Sequence, residues 1–377
     1  MISSFFKRID WLLLVFLFPI LFAGLFTMKS FTVDAEGPDF FLRQSIWIVV
    51  SLSTFFILAS MDLRVLKRTG VLVTLFLFFL GILAALFVLG KVSNGAQSWF
   101  DLGGFSFQPA DMMKLVLVLV LAKYFSRRHV EIKNIKHIFI SGLYAVIPFL
   151  LVFLQPDFGS AMVIFFIWFG MVLVSGISKK HLILVGLIGV ISFLGLWFFV
   201  FADYQKDRIV NFLNPMADIH GSGYNVFQST IAIGSGQVVG KGLGFGTQSR
   251  LKFLPEPETD FIFAAFSEEW GFIGSFVVLM LFFLLIWRIL HLSALGASNF
   301  ETLFGLGLAI FFMTHIIINV GMNLGIFPVT GIPLPFMSYG GSHLITEFAG
   351  LGILVSLSRY ARSAHRDAMR NEFLGLE

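Results

Sequence analysis

Seven stretches of this chain carry no charged side chain over a length that crosses a bilayer as helix: 11–28, 44–61, 69–90, 138–156, 158–178, 181–202 and 270–287. About 17 to 25 apolar residues span the hydrocarbon core. Inside that core every backbone N–H and C=O must find a partner within the chain, so each such stretch is committed to helix. An eighth span, about 106–124, is interrupted by Lys114, and the charge-free run 302–346 is too long for one crossing and divides into 302–322 and about 341–358. The expected fold is an all-α integral membrane protein with ten transmembrane helices, a single polytopic domain over 1–377. Composition agrees, with 57% hydrophobic and 13% charged residues, whereas soluble domains carry about 25% charged.

Lys and Arg stay on the side where the chain is made. With ten spans and the N-terminus inside, the inner segments hold 16 of the 26 basic residues, and the short outer loops hold Lys29, Arg43 and Lys91. Both termini are therefore expected in the cytoplasm. The sequence pI of about 9.3 is then a topology signal and not a sign of nucleic-acid binding. Lys7 and Arg8 before an apolar run are signal-peptide-like, but that run is long and no A-x-A-type site follows, so it is read as a retained helix. There is no cysteine, which removes disulfides, thiol nucleophiles and thiolate metal sites.

Two segments interrupt the spans. The outer segment 203–265 is too long to be a plain connection. Its patch YNVFQSTIAI (224–233) has helical character, and its glycines between Gly221 and Gly246 allow close approach of backbone to a ligand. GSGQVVGKG (234–242) fails both nucleotide-binding spacings, because Lys241 is followed by Gly242. The second interruption, NLGIFPVTGIPLPFMSYGGSHL (323–344), contains Pro328, Pro333 and Pro335 and cannot continue a helix. Irregular backbone at membrane depth is tolerated where protein buries it or it lines a wet cavity, so 323–343 is read as a re-entrant loop beside a polar site.

Charges within this apolar chain single out candidates. Asp111 and Lys114 lie three residues apart on one helix face, either as a self-neutralising pair or with Lys114 serving an anionic ligand. Glu347 and Asp157 raise the same question. In FLPEPETDFIFAAFSEEWGFIG (253–274), Glu268 and Glu269 suit a helix start near Trp270, and Glu256 and Glu258 suit a solvated loop. Asp260 differs, because the apolar FIFAAF follows it; a partly desolvated carboxylate there can act as a general base. No histidine pair has H-x-x-x-H spacing, and His315 is a lone residue in an apolar span. No dedicated metal cage is expected.

The motifs NGAQSWFDLGGFSFQPADMMK (94–114), LQPDFGSA (154–161), YQKDRIVNFLNP (204–215), GYNVFQSTIAIGSG (223–236), GKGLGFGTQS (240–249), FLPEPETDFIFAAFSEEWGFIG (253–274) and NLGIFPVTGIPLPFMSYGGS (323–342) resemble, in order, those of the SEDS family (shape, elongation, division and sporulation). The GKG…GTQS…FLPE…TDFIFA form is more similar to the RodA elongation branch than to the FtsW division branch. The resemblance implies a peptidoglycan glycosyltransferase that polymerises lipid II on the outer face of the bacterial cytoplasmic membrane, with a class B penicillin-binding protein as partner. It implies Asp260 as the catalytic aspartate, and the family's acid and lysine pair falls on Asp111 and Lys114. The family's YQ..R arginine corresponds to Arg208. Ser98 stands where the family usually has Arg, Ala110 and Asp111 replace Ser and Glu, and His343 replaces a small residue.

The implied mechanism assigns Asp260 as base and Lys114, Arg208 and Lys241 as charges offsetting the departing pyrophosphate. Glu256, Ser338, Gly340 and Gly341 would border the substrate, and lipid tails would lie near the re-entrant loop. No redox or nucleotide cofactor is required, although a divalent cation, Mg or Mn, bridging the pyrophosphate is compatible. The rival readings are a lipid II flippase and a non-catalytic scaffold for the penicillin-binding partner.

Overall fold

The computed structural model describes residues 9–31, 39–93, 96–101, 103, 106–127, 135–199, 206, 210, 212, 222–251 and 253–374. All ten expected spans are helices: α1 (Trp11–Ser30), α2 (Phe40–Ser60), α3 (Thr69–Leu89), α4 (Pro109–Ser126), α5 (Ile135–Leu154), α6 (Phe158–Val174), α7 (Lys179–Phe199), α10 (Ile262–Ala294), α11 (Asn299–Asn323) and α12 (Gly341–Leu374). Among the described residues of the long segment between α7 and α10 are helix α8 (Ser222–Ser235) and the short α9 (Thr247–Arg250). Seven of these helices meet length and hydropathy criteria for crossing a membrane, and α6 and part of α7 are shorter apolar helices. Helix α4 carries Asp111, Lys114 and Lys123, yet it is buried along most of its length by its neighbours.

The acids that bound the apolar runs start the helices. Asp10, Asp39 and Asp157 accept hydrogen bonds from Leu13 N (3.3 Å), Leu42 N (3.0 Å) and Ser160 N (3.0 Å), capping α1, α2 and α6. Packing centres on α4 and α11: α4 touches α3, α5, α6, α11 and α12, α11 also contacts α6 and α10, and α12 lies along α2. On the face where α1 begins, Asp10 pairs with Arg288 of α10 and Lys67 with Glu301 of α11 (2.6 Å). On the opposite face, where α3 ends and α4 begins, Gln155 Nε2 donates to Leu83 O at 2.7 Å and Gln108 Nε2 to Asp157 Oδ2 at 2.8 Å.

Two features add to the expected all-α fold. One is a small antiparallel sheet between α3 and α4, formed by β1 (Lys91–Ser93), β2 (Ala96–Asp101) and β3 (Ser106–Phe107). Asn94–Gly95, which separates β1 from β2 in the sequence, is the residue pair that tight hairpin turns favour. The other is in helix α10, which runs from Ile262 but breaks at Gly271 (φ 67°, ψ −165°), where glycine takes up a left-handed conformation without penalty. It is thus a short helix joined to a long apolar one that starts beside Trp270 as expected. The turns before the break, Ile262 to Glu269, are buried in protein.

Candidate active site on the loop face

Asp260 closes an irregular turn just ahead of α10. Its backbone carbonyl accepts from the amide nitrogens of Asn319 and Asn323, both at 3.0 Å. These asparagines sit one helical turn apart on α11, so one helix face holds one peptide group from two positions. Asn319 Nδ2 also donates to Ile332 O (2.7 Å), and Asn323 Oδ1 accepts from Ala264 N (3.1 Å) in the first turn of α10. The Asp260 carboxylate is half-buried beside Gly331, whose missing Cβ would stand 3.4 Å from Asp260 Oδ2. Gly331 has φ +71°, where an L side chain would be strained, and its Cβ would stand in van der Waals contact with the acid.

The Pro/Gly-rich segment after α11 is irregular; its first half is surface-lying, with Leu324, Ile326 and Phe327 exposed, and its second half is buried, with Ile332, Leu334, Phe336 and Met337 in the core. Non-helical backbone enclosed by protein is therefore found over 332–338. Ser338 Oγ accepts from Leu334 N (2.8 Å) and donates to Thr259 O (2.6 Å). Tyr339 N donates to Glu258 O at 2.8 Å, and Gln44 Nε2 of α2 donates to Ser338 O at 3.1 Å. The segment is thus pinned to the two residues that precede Asp260. Gly341 is needed for a different reason: the Trp47 ring occupies the space of its absent Cβ.

Below this region α4, α11 and α12 enclose a cluster of ionisable side chains. Lys114 Nζ bonds Asp111 Oδ1 at 3.0 Å, and both side chains are 2% exposed. His343 Nδ1 lies 3.4 Å from Asp111 Oδ1, and its Nε2 lies 2.9 Å from Glu347 Oε1. These imidazole contacts are close approaches rather than aligned hydrogen bonds, since neither ring nitrogen has a partner in hydrogen-bond geometry. His315 lies against His343 with ring centroids 4.7 Å apart. Glu347 Oε2 accepts from Phe336 N at 3.0 Å.

A second carboxylate organises the glycine-rich loop. Glu268 is fully buried and accepts from Lys241 Nζ (2.7 Å), Thr247 Oγ1 (3.1 Å), Gln248 N (3.0 Å) and Ser249 N (3.3 Å). Glu269 accepts from Gly244 N at 3.0 Å. The pair therefore folds the 240–249 loop from below, which corrects the expectation of acids that merely start a helix. Segment 237–242 lies along the Gly271 break, where Phe272 N and Ile273 N donate to Gln237 O (2.9 Å) and Val238 O (3.1 Å).

The structure brings Asp260, Ser338 and the glycines of the re-entrant segment together. It separates them from Lys114, whose charge is spent on Asp111, and it pairs Lys241 with Glu268. Neither lysine is poised toward Asp260 as an uncompensated cation. Glu256 is exposed in a left-handed turn (φ 44°) and its carbonyl accepts from Thr259 N and Phe261 N. Arg208 lies outside the described residues. Sequence reasoning missed Asn319 and Asn323, although His315, Asn319 and Asn323 recur at four-residue spacing in an otherwise apolar span, a legible polar stripe. Among the described residues no cluster of three histidine or acidic side chains has metal-ligand geometry.

Fold and site together define a multi-pass membrane protein whose loop face carries a clamped aspartate above a buried ionic cluster. The model of the FtsW/RodA/SpoVE cell cycle protein family matches residues 7–363, and the chain belongs to that family. Stage V sporulation protein E of Bacillus subtilis is 38% identical over 363 residues, covering 94% of this chain and 98% of the relative. Peptidoglycan glycosyltransferase MrdB of Escherichia coli is 38% identical over 332 residues, covering 87% and 89%. Among solved structures, a chain of a peptidoglycan synthase complex that coordinates polymerisation and crosslinking superposes with TM-score 0.79 at 31% identity, covering 93% of this chain and 98% of that one. The rod shape determining protein RodA of Thermus thermophilus superposes with TM-score 0.69 at 31% identity, covering 93% and 96%.

Proposed function

We propose that the chain is a peptidoglycan glycosyltransferase that polymerises lipid II at its loop face, on the outer side of the bacterial cytoplasmic membrane, with both termini in the cytoplasm. The relatives named as peptidoglycan glycosyltransferases support the reaction class. The observation that carries the catalytic assignment is the fixing of Asp260: its carbonyl is clamped by Asn319 and Asn323 while its carboxylate stays half-exposed beside Gly331.

In this reading the Asp260 carboxylate takes the proton of an acceptor sugar hydroxyl as that oxygen attacks the donor's anomeric carbon. The new glycosidic C–O bond forms as the bond to the pyrophosphate breaks, with inversion, and the lipid-linked pyrophosphate leaves carrying the electron pair. A general base of this kind contributes about 10²- to 10⁴-fold. No further cofactor is needed, because the donor is already activated; a divalent cation would travel with the pyrophosphate. Arg208 remains the candidate for offsetting that charge. Lys114 is reassigned from ligand contact to holding Asp111, and Lys241 to holding Glu268 and the glycine loop. Glu256, Ser338, Gly340 and Gly341 frame the approach to Asp260.

A class B penicillin-binding protein is the partner that this reading implies, consistent with the solved complex that couples polymerisation to crosslinking. The test supplies lipid II in detergent to the purified protein with that partner and separates glycan polymer by gel. Polymer from the native protein and none from Asp260→Ala supports the assignment. Polymer from Asp260→Ala at the native rate overturns the base, and none from either protein favours a flippase or a scaffold.

A further inference from the structure

We propose that Glu347, held by His343, is a positioning residue for Asp260, acting through the backbone of the re-entrant segment; this rests on the glycosyltransferase reading above. Phe336 is a bulky residue in the left-handed region (φ 60°), a conformation that costs about 1–2 kcal/mol without support. It is buried, and its N–H is directed onto Glu347 Oε2 at 3.0 Å from the first turns of α12. That bond anchors the 334–338 turn to α12, alongside the turn's own bonds from Ser338 N to Leu334 O (3.0 Å) and from Leu334 N to Ser338 Oγ (2.8 Å). Two residues on, Ser338 Oγ donates to Thr259 O at 2.6 Å, and Tyr339 N reaches Glu258 O at 2.8 Å. The next residue of the turn is Asp260, whose carbonyl is fixed from the other side by Asn319 and Asn323. The route from Glu347 to the aspartate therefore runs through one side-chain acceptor and a short rigid turn.

His343 supplies the second half of the device. One helical turn before Glu347 on α12, its imidazole stands between two carboxylates, 2.9 Å from Glu347 Oε1 and 3.4 Å from Asp111 Oδ1. Lys114 compensates Asp111 from the other side at 3.0 Å. The arrangement alternates Lys114, Asp111, His343 and Glu347, and it leaves Glu347 Oε2 directed at Phe336 N. Placement of a general base matters steeply, since a displacement of about 1 Å can cost about 10²-fold in rate.

The test uses the full chain with its class B partner, lipid II as substrate, and three variants: Glu347→Leu, Glu347→Gln and His343→Asn. Glutamine keeps an oxygen that can accept from Phe336 N, whereas leucine keeps only bulk. The chain has no native cysteine, so a spin label on Glu256→Cys reports motion of the turn that carries Asp260. The expected result is a fall in kcat of about tenfold or more for Glu347→Leu with KM within about twofold, and a label more mobile than in the native background. Glu347→Gln should stay within about threefold of native kcat with the native label spectrum, and His343→Asn should fall between the two. Equal losses in Glu347→Gln and Glu347→Leu, or unchanged kcat and label in Glu347→Leu, would overturn the proposal. If Glu347→Leu does not fold, His343→Asn decides, and an unmoved label there counts against it. Native protein that forms no polymer sinks the glycosyltransferase reading instead, and the label still reports whether Glu347 holds the turn.

Discussion

At the scale of single residues, the site depends on amides more than on charges. Asn319 gives one amide to two backbone carbonyls, Asp260 O and Ile332 O, and both would lose that donor in Asn319→Leu. A buried polar group left unsatisfied costs about 1–3 kcal/mol. Asn319→Leu is therefore expected to lower the melting temperature in detergent and to reduce polymerisation about tenfold or more through a displaced Asp260; native activity in this variant would remove the clamp from the account. The buried Asp111 and Lys114 make a different prediction. Removing either partner alone leaves an uncompensated charge, at about 3–5 kcal/mol, while an apolar pair of similar volume is tolerated far better. In thermal denaturation Lys114→Met should be less stable than Asp111→Leu/Lys114→Met, and the reverse order would show that the pair does not neutralise itself. Asp260 was legible in the sequence because an acid directly before FIFAAF is conspicuous in so apolar a chain. The partners of its carbonyl were not, because asparagines inside a span lie some sixty positions away and only the folded helix brings them to it.

At the scale of elements, helices were legible and their ends were not. Charge-free length identifies the long apolar part of α10 after the Gly271 break, yet it does not register the short buried helix from Ile262 that carries Glu268 and Glu269 ahead of that break. Glu268 is tolerated there because Lys241, Thr247 and backbone N–H groups satisfy it, and Glu269 Oε1 takes the N–H of Gly244, which no window of hydropathy can register. The consequence is testable by proteolysis. Glu268→Leu removes the acceptor that gathers Lys241, Thr247, Gln248 and Ser249, so trypsin should cut at Lys241 and Arg250 markedly faster than in native protein. Unchanged cleavage would mean that the glycine loop is held by other contacts. The small sheet between α3 and α4 escaped for a different reason, since β1 and β3 are too short to show a period of two and β2 (AQSWFD) does not alternate apolar with polar residues.

At the scale of the whole molecule, the two faces differ in chemistry. Ion pairs with one partner near a helix terminus, Asp10 with Arg288 and Lys67 with Glu301, tie the face where α1 begins. The other face holds the asparagine clamp, the re-entrant segment and the glycine loop. The orientation proposed from the basic residues is open to direct test, because Val239, exposed on the glycine loop, offers a handle in a cysteine-free chain. Val239→Cys in intact cells should react with a membrane-impermeant maleimide, and a cysteine appended after Glu377 should react only after lysis. The opposite pattern would invert the topology and place Asp260 away from the outer face, where the proposed function requires it.

The central claim is that Asp260 performs chemistry and not merely structure. Its most direct measurement compares native protein with the near-isosteric Asp260→Asn, both with the class B partner, following single-turnover glycan formation alongside lipid II binding. Substrate binding within about threefold of native and a rate lower by about 10²-fold or more is the predicted result. A rate close to native with binding intact would contradict the account.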